Sequence, residues 1–312
     1  MNAAQEKEAL LWGMVGITLF AATLPMTRLA VGSAELPQLS PWFVTFGRAA
    51  VAGVLSIGYL LWQRAQGRLK WPVRAEWPLL AVTAFGVIVG FPLFLALALR
   101  HVPSTHGAVV TALLPLSTAV LGALWFRQRP SNGFWACAVV GSGLVLGFMV
   151  WRAGGIYLGA ANIYLLIAMT TGALGYIGGA RLTPRLGAEQ VICWVLVCSL
   201  PLTLPVAWWF VQSGEQGFAV MDAHPKLYAL IPMLGLISAS ALVVYIIASR
   251  LLPFSLFGLL SYVEPVLLLG VALLLGESIK AEEWLTYLPI WLAVLVLVFE
   301  GAKHLARQRR AV

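Results

Sequence analysis

Ten runs of about 20 predominantly apolar residues, parted by short charged or Pro/Gly-rich breaks, decide the solvent in which this chain of 312 residues folds. They cover residues 10–32, 41–62, 77–99, 103–126, 133–151, 156–178, 190–211, 227–249, 254–275 and 284–302. A helix rises ~1.5 Å per residue, so each run matches the ~30 Å hydrocarbon core of a bilayer. Composition agrees: 61% of residues are hydrophobic and 10% charged, where a soluble domain is roughly a quarter charged. The expected fold is all-α and integral to the membrane, with ten transmembrane helices.

The chain starts "MNAAQEKEALLWGMVG", with acidic and basic residues ahead of a long apolar run and no small-residue cleavage site. The first run is therefore expected to be a retained helix and not a secretory signal. Cys137, Cys193 and Cys198 all fall inside runs, without a C-x-x-C spacing. Small apolar helix residues fit them better than a disulfide or a zinc site, and no metal or cofactor is expected.

The net charge of +8 is informative through its distribution. With a cytoplasmic N-terminus, ten spans return the C-terminus to the same side. Fourteen basic residues then face the cytoplasm: Lys7, Arg64, Arg68, Lys70, Arg74, Arg127, Arg129, Arg181, Arg185, Arg250, Lys303, Arg307, Arg309 and Arg310. Only Arg100, Arg152, Lys226 and Lys280 face the other way, while Arg28 and Arg48 lie within spans. This is the positive-inside bias, and it assigns the basic loops to topology and membrane lipids, with no nucleic-acid partner.

The chain also says one thing twice. "RHVPSTHGAVVTALLPLSTAVLGAL" from Arg100 and "RLLPFSLFGLLSYVEPVLLLGVALL" from Arg250 share Arg, two Pro and the final Leu at an offset of 150 residues. Trp135 and Trp284 open the last spans of the two halves at nearly the same offset, and the halves join near "WRAGGIYLG", where Gly154 and Gly155 break the helical pattern. Residues 1–153 and 154–312 then form two five-span repeats within one membrane domain. Because five is odd, the repeats are inverted, an arrangement suited to alternating access around a site near the midplane.

The stretches "LLPLSTAVLGALWF" and "YVEPVLLLGVALLLGE" resemble the EamA family of the drug/metabolite transporter superfamily, and the C-terminal half from "LIPMLGLISASALVVYIIASRLLPFSLFGLLSY" through Glu277 is similar to RarD-type proteins. The resemblance implies ten-helix carriers of the bacterial cytoplasmic (inner) membrane, built from two inverted repeats and exporting small organic metabolites. One departure is visible: Glu277 follows Gly276, whereas Phe126 and Arg127 stand at the matching first-half positions.

Candidate site residues come from polar and aromatic groups deep in spans. Glu264 lies ~15 Å into the ninth run and Arg48 ~10 Å into the second. Charges at such depth are paired, neutralised or turned to a cavity, so the two are expected to pair or to meet the amine and carboxylate of a substrate. Arg48 and Arg28 have snorkelling to the headgroups as the alternative. Tyr262, beside Glu264, joins Phe91, Tyr176 and Tyr245 as aromatic lining, with Thr111, Asn162 and Ser261 as hydrogen-bonding groups; Phe20, Thr23 and Trp194 are also deep. Pro115 and Pro265, the repeated pair, are expected hinges. Gly86 and Gly90, Gly143 and Gly147, and Gly175 and Gly179, each pair four apart, are expected to let helices approach closely.

These features exclude several classes. No G-x-x-x-x-G-K-[ST] loop is present for an ATPase, and His101, His106, His224 and His304 fit no H-E-x-x-H pattern, nor is there a G-x-S-x-G elbow for an enzyme. His101 and His106 read as interfacial. The expectation is a secondary carrier exporting small organic metabolites, amino acids or related amphiphiles including aromatic ones, with protons as a candidate coupling ion and no need for more than a monomer. The alternatives are drug or toxic-compound efflux, and beyond it a channel or lipid-flipping protein.

Overall fold

The computed structural model describes residues 3–111, 159–213, 224–251 and 264–276 continuously, with scattered positions between 113 and 147. The described segments are helical almost throughout. In order they are α1 (Ala3–Val31), α2 (Pro41–Ala65), α3 (Trp77–Ala84), a π-helical segment (Phe85–Gly90), α4 (Phe91–Leu99), α5 (Ser104–Thr111), α6 (Ala160–Leu186), α7 (Ala188–Gln212), α8 (Pro225–Leu251) and α9 (Glu264–Leu274). Five stretches among the described residues have the length and hydropathy to cross a bilayer, with α3, the π segment and α4 counting as one continuous span.

The π segment has a local cause. Pro92 has no N–H to donate, and its ring crowds the carbonyl four residues back. Immediately before it the ladder widens, so that the Phe91 N–H reaches the Gly86 carbonyl. A proline inside a span is expected to bend it; at Pro92 the conflict with the ladder is met by a local π turn. Other spans simply enclose their prolines: Pro25 in α1, Pro184 in α6, Pro201 and Pro205 in α7, and Pro232 in α8.

Helices of the first half pack chiefly on helices of the second. α1 lies along α8 and also meets α9, α2 lies along α7 and meets α8, and the α3–α4 span lies along α6 and meets α7. Lipid gives apolar helices no reason to associate, so the drive is close backbone approach. A Cβ on Gly86 would stand 2.6 Å from the Thr171 carbonyl oxygen and 2.7 Å from the Gly175 nitrogen, which places α6 against the π segment with no room for a side chain. At Gly90 a Cβ would meet the Thr171 side chain, 2.8 Å from its Cβ. Gly143 and Gly147 differ: both are exposed, and a Cβ there would meet nothing within 4 Å among the described residues.

Two helix ends show why loops fall where they do. Gly32, with φ 70°, closes α1, its N–H bonded to the Arg28 carbonyl at 2.9 Å. Gly276, with φ 88°, follows α9 and bonds to the Leu273 carbonyl at 3.1 Å. The glycine of the "GE" pair thus occupies a left-handed position that residues with a Cβ adopt reluctantly.

Polar bonds also fix which helix ends lie together. Gln190, near the start of α7, accepts from the Lys70 N–H at 2.7 Å and donates to the Arg68 carbonyl at 2.8 Å. Arg185, near the end of α6, donates to the Trp71 carbonyl at 3.0 Å and pairs with Glu76. The loop after α2, the end of α6 and the start of α7 therefore share one end of the bundle. Trp194 is anchored there as well, its indole N–H donating to the Lys70 carbonyl at 3.1 Å beside Trp71 and Trp77, so it is an end-of-bundle residue and not a deep lining one. Trp62, Trp208 and Trp209 are exposed near helix ends, where interfacial anchors belong.

Candidate functional site

At the seam between the helices of the two halves lies a cavity of about 60 Å³. The first half contributes Phe20 and Thr23 from α1, Arg48 from α2, and Phe91 from α4. The second half contributes Tyr176 from α6, Leu196 from α7, and Gly235 with Ser238 from α8. One water needs roughly 10–15 Å³ of such space, so the cavity holds a few waters and must widen for an organic solute.

Local structure sets each polar group. Gly235 is pressed onto α2: a Cβ there would stand 2.7 Å from the Arg48 carbonyl oxygen. Ser238, three residues further on, shares that face of α8. Its Oγ is buried and bonds to no other group among the described residues. Arg48 is half-buried, and no acceptor lies within hydrogen-bond reach of its guanidinium among the described residues. Thr23 turns its hydroxyl back to the Phe20 carbonyl at 2.6 Å. Phe20 and Phe91 stack with centroids 6.4 Å apart and planes at 22°, forming an apolar wall.

Of the residues the sequence singles out, Arg48, Phe91 and Tyr176 come together here, with Phe20 and Thr23. Arg48 therefore faces the cavity and does not snorkel. Arg28 does not snorkel either: its Nη1 donates to the carbonyls of Gly32 at 2.7 Å, Leu99 at 2.5 Å and Arg100 at 3.2 Å, tying the end of α1 to the end of α4. Asn162 lies elsewhere; its Oδ1 meets His106 Nε2 at 2.9 Å in a buried pair between α5 and α6. His106 is thus buried near the start of α5, whereas His101 is exposed. Thr111 is half-buried at the end of α5 and does not line the cavity.

The side chains of Tyr245, Glu264 and Pro265, and residues Pro115, Ser261 and Tyr262 altogether, lie outside the described residues. The backbone of Glu264 begins α9, which packs against α1, the helix carrying Phe20 and Thr23. Beside several aliphatic residues, Gly235 and Ser238 are lining residues that the sequence does not single out. A glycine and a serine in an apolar run carry no charge to mark them, and only their offset of three on a helix hints at a shared small-residue face.

Long apolar helices packed about a small, largely apolar cavity describe a multi-pass membrane protein, and the comparisons with known proteins supply its class. The model of the EamA-like transporter family matches residues 7–150. The "Uncharacterized transporter YdeK" of Bacillus subtilis is 45% identical over 209 residues, 67% of this chain and 69% of that protein; the chain belongs to the EamA-like transporter family. The "Chloramphenicol-sensitive protein RarD" of Pseudomonas aeruginosa is 39% identical over 204 residues, 64% of this chain and 62% of that protein. A chain of known crystal structure shares the fold at a TM-score of 0.63 and 20% identity, covering 96% of this chain and 98% of its own length.

Proposed function

We propose that the protein is a secondary carrier of the bacterial inner membrane that exports small organic metabolites, amino acids or related amphiphiles, by alternating access of two inverted five-helix repeats, residues 1–153 and 154–312. The observation that carries this reading is the cavity at the seam, with walls from both halves. The helix pairing supports it too. Exchanging each first-half span for its counterpart turns the α1–α8 contact into the contact of α6 with the α3–α4 span, maps α2–α7 onto itself, and turns α2–α8 into α3–α7, all of them present. A pseudo-twofold relation of this kind is what lets one set of contacts open as the mirrored set closes.

The N- and C-termini are cytoplasmic in this proposal, on the side of Arg64, Arg68, Lys70, Arg181 and Arg185, and one chain suffices because one chain builds the cavity. Protons are the proposed coupling ion, with Glu264 as the group that would carry them. A panel of labelled amino acids, organic acids and amphiphilic amines assayed by counterflow in proteoliposomes tests the reading. A carrier exchanges a labelled solute against an excess of the unlabelled one with saturation. Non-saturable flux would instead identify a channel, and exchange confined to chloramphenicol-like compounds would identify drug efflux.

A further inference from the structure

We propose that Arg48 and Ser238 form an anion subsite in the cavity, which receives the carboxylate of a small organic acid or amino acid while Phe20 and Phe91 take its apolar body. The inference rests on the carrier reading and names the substrate's charge. Three observations converge on it. Arg48 contributes a guanidinium to the cavity wall with no acceptor in reach among the described residues, although this side chain has donors and no acceptor of its own. Ser238, on the face of α8 held against α2 by Gly235, adds a buried hydroxyl with no partner among the described residues. Among the described lining residues no acidic side chain is present, and the rest is aromatic or aliphatic apart from Thr23.

Arg28 shows how this chain treats a cation whose role is purely structural, since backbone carbonyls satisfy it. Arg48, with no acceptor in reach among the described residues, sits in a site of low dielectric where an unmet charge is costly until an anion arrives. A carboxylate matches the planar fork of a guanidinium with two parallel bonds, so it meets the need better than a neutral acceptor, and a cationic solute would be repelled. The Phe20–Phe91 wall then favours an acid that carries an aromatic or branched aliphatic body.

The test uses four probes of one shape: 3-phenylpropionate, 3-phenylpropionamide, 2-phenylethylamine and phenylalanine, titrated into purified protein in detergent and followed by the unfolding midpoint. The wild type is expected to bind the two carboxylates and to discriminate against the amide and the amine. Arg48→Gln should weaken the acids by about ten- to a hundredfold, the range of a charge-assisted bond. Arg48→Lys should recover part of that loss, and Ser238→Ala should cost the acids a few-fold. Without ligand, Arg48→Gln should unfold at or above the wild-type temperature, since it removes a charge that has no partner among the described residues; a structural role would lower it. Equal binding of amide and acid by the wild type overturns the proposal, as does acid binding to Arg48→Gln within twofold of wild type. If Arg48→Gln fails to fold, the probe order in the wild type and the Ser238→Ala result decide. Neutral solutes exchanged in proteoliposomes with no effect of Arg48 would overturn the anion subsite alone, whereas acid binding without exchange of any solute would support the subsite and overturn the carrier reading.

Discussion

A single methyl group at Gly86 should loosen the joint between the two halves. In Gly86→Ala the new Cβ would lie 2.6 Å from the Thr171 carbonyl oxygen, 2.7 Å from the Gly175 nitrogen and 2.8 Å from its Cα, against the 3.4 Å at which ordinary contact begins. All three opposing atoms are backbone, so no rotamer change can yield, and the π segment and α6 must part by about 0.8 Å, the difference of those two distances. Overpacking of this kind costs ~1–3 kcal/mol, and the upper half of that range applies because the separation also loosens the neighbouring Gly90–Thr171 contact. At ~2–4 °C per kcal/mol the unfolding midpoint in detergent should fall by about 5–10 °C. Gly58→Ala is the control: Gly58 is exposed on α2 with nothing within 4 Å of a built Cβ, and alanine's higher helix propensity, up to ~1 kcal/mol, should leave the midpoint unchanged or raised. If Gly86→Ala unfolds with the wild type, or if the two variants shift together, close backbone approach is not what joins α6 to the π segment.

Arg28→Gln removes the donor shared by the Gly32, Leu99 and Arg100 carbonyls. Charge-assisted bonds contribute ~1.5–3 kcal/mol each, so a loss of about 2–4 kcal/mol in denaturant unfolding is expected, with Arg28→Lys intermediate. Asn162→Leu removes the Oδ1 that meets buried His106 and should cost ~1–3 kcal/mol while leaving the affinity of any cavity ligand within twofold, because neither residue lines the cavity. Arg185→Ala breaks the exposed pair with Glu76 and should barely move the unfolding midpoint, with any small shift erased by rising salt.

Where the spans lie was legible because the bilayer imposes a length. The runs at 41–62 and 190–211 became Pro41–Ala65 and Ala188–Gln212. The run at 156–178 became Ala160–Leu186, which continues past the apolar stretch because Arg181 and Arg185 sit on helix turns at the bundle end, where charged heads are tolerated. Arg48, Phe91 and Tyr176 were legible as site residues since charge and aromaticity deep in a span stand out against the apolar background. Arg28 and Asn162 stand out for the same reason, yet they serve elsewhere. Their partners, Leu99 and His106, are 71 and 56 residues away in sequence, and no local pattern announces a carbonyl at a neighbouring helix end. Ser238 was illegible for the opposite reason: serine is common in membrane helices, and only the seat of Gly235 on the Arg48 backbone turns it into the cavity.

Alternating access requires that the cavity at the seam be the transport route and that it open to one side at a time. Ser238→Cys, placed in a background with Cys137, Cys193 and Cys198 replaced by serine, puts a thiol on the cavity wall. Membrane-impermeant thiol reagents are then applied from each side of oriented vesicles, with and without a solute that gives counterflow. The thiol is predicted to react from either side, at rates that solute shifts in opposite directions, and its labelling to stop exchange. Labelling that leaves exchange intact, or a thiol inert from both sides while counterflow continues, would place the route elsewhere and contradict a seam-centred carrier.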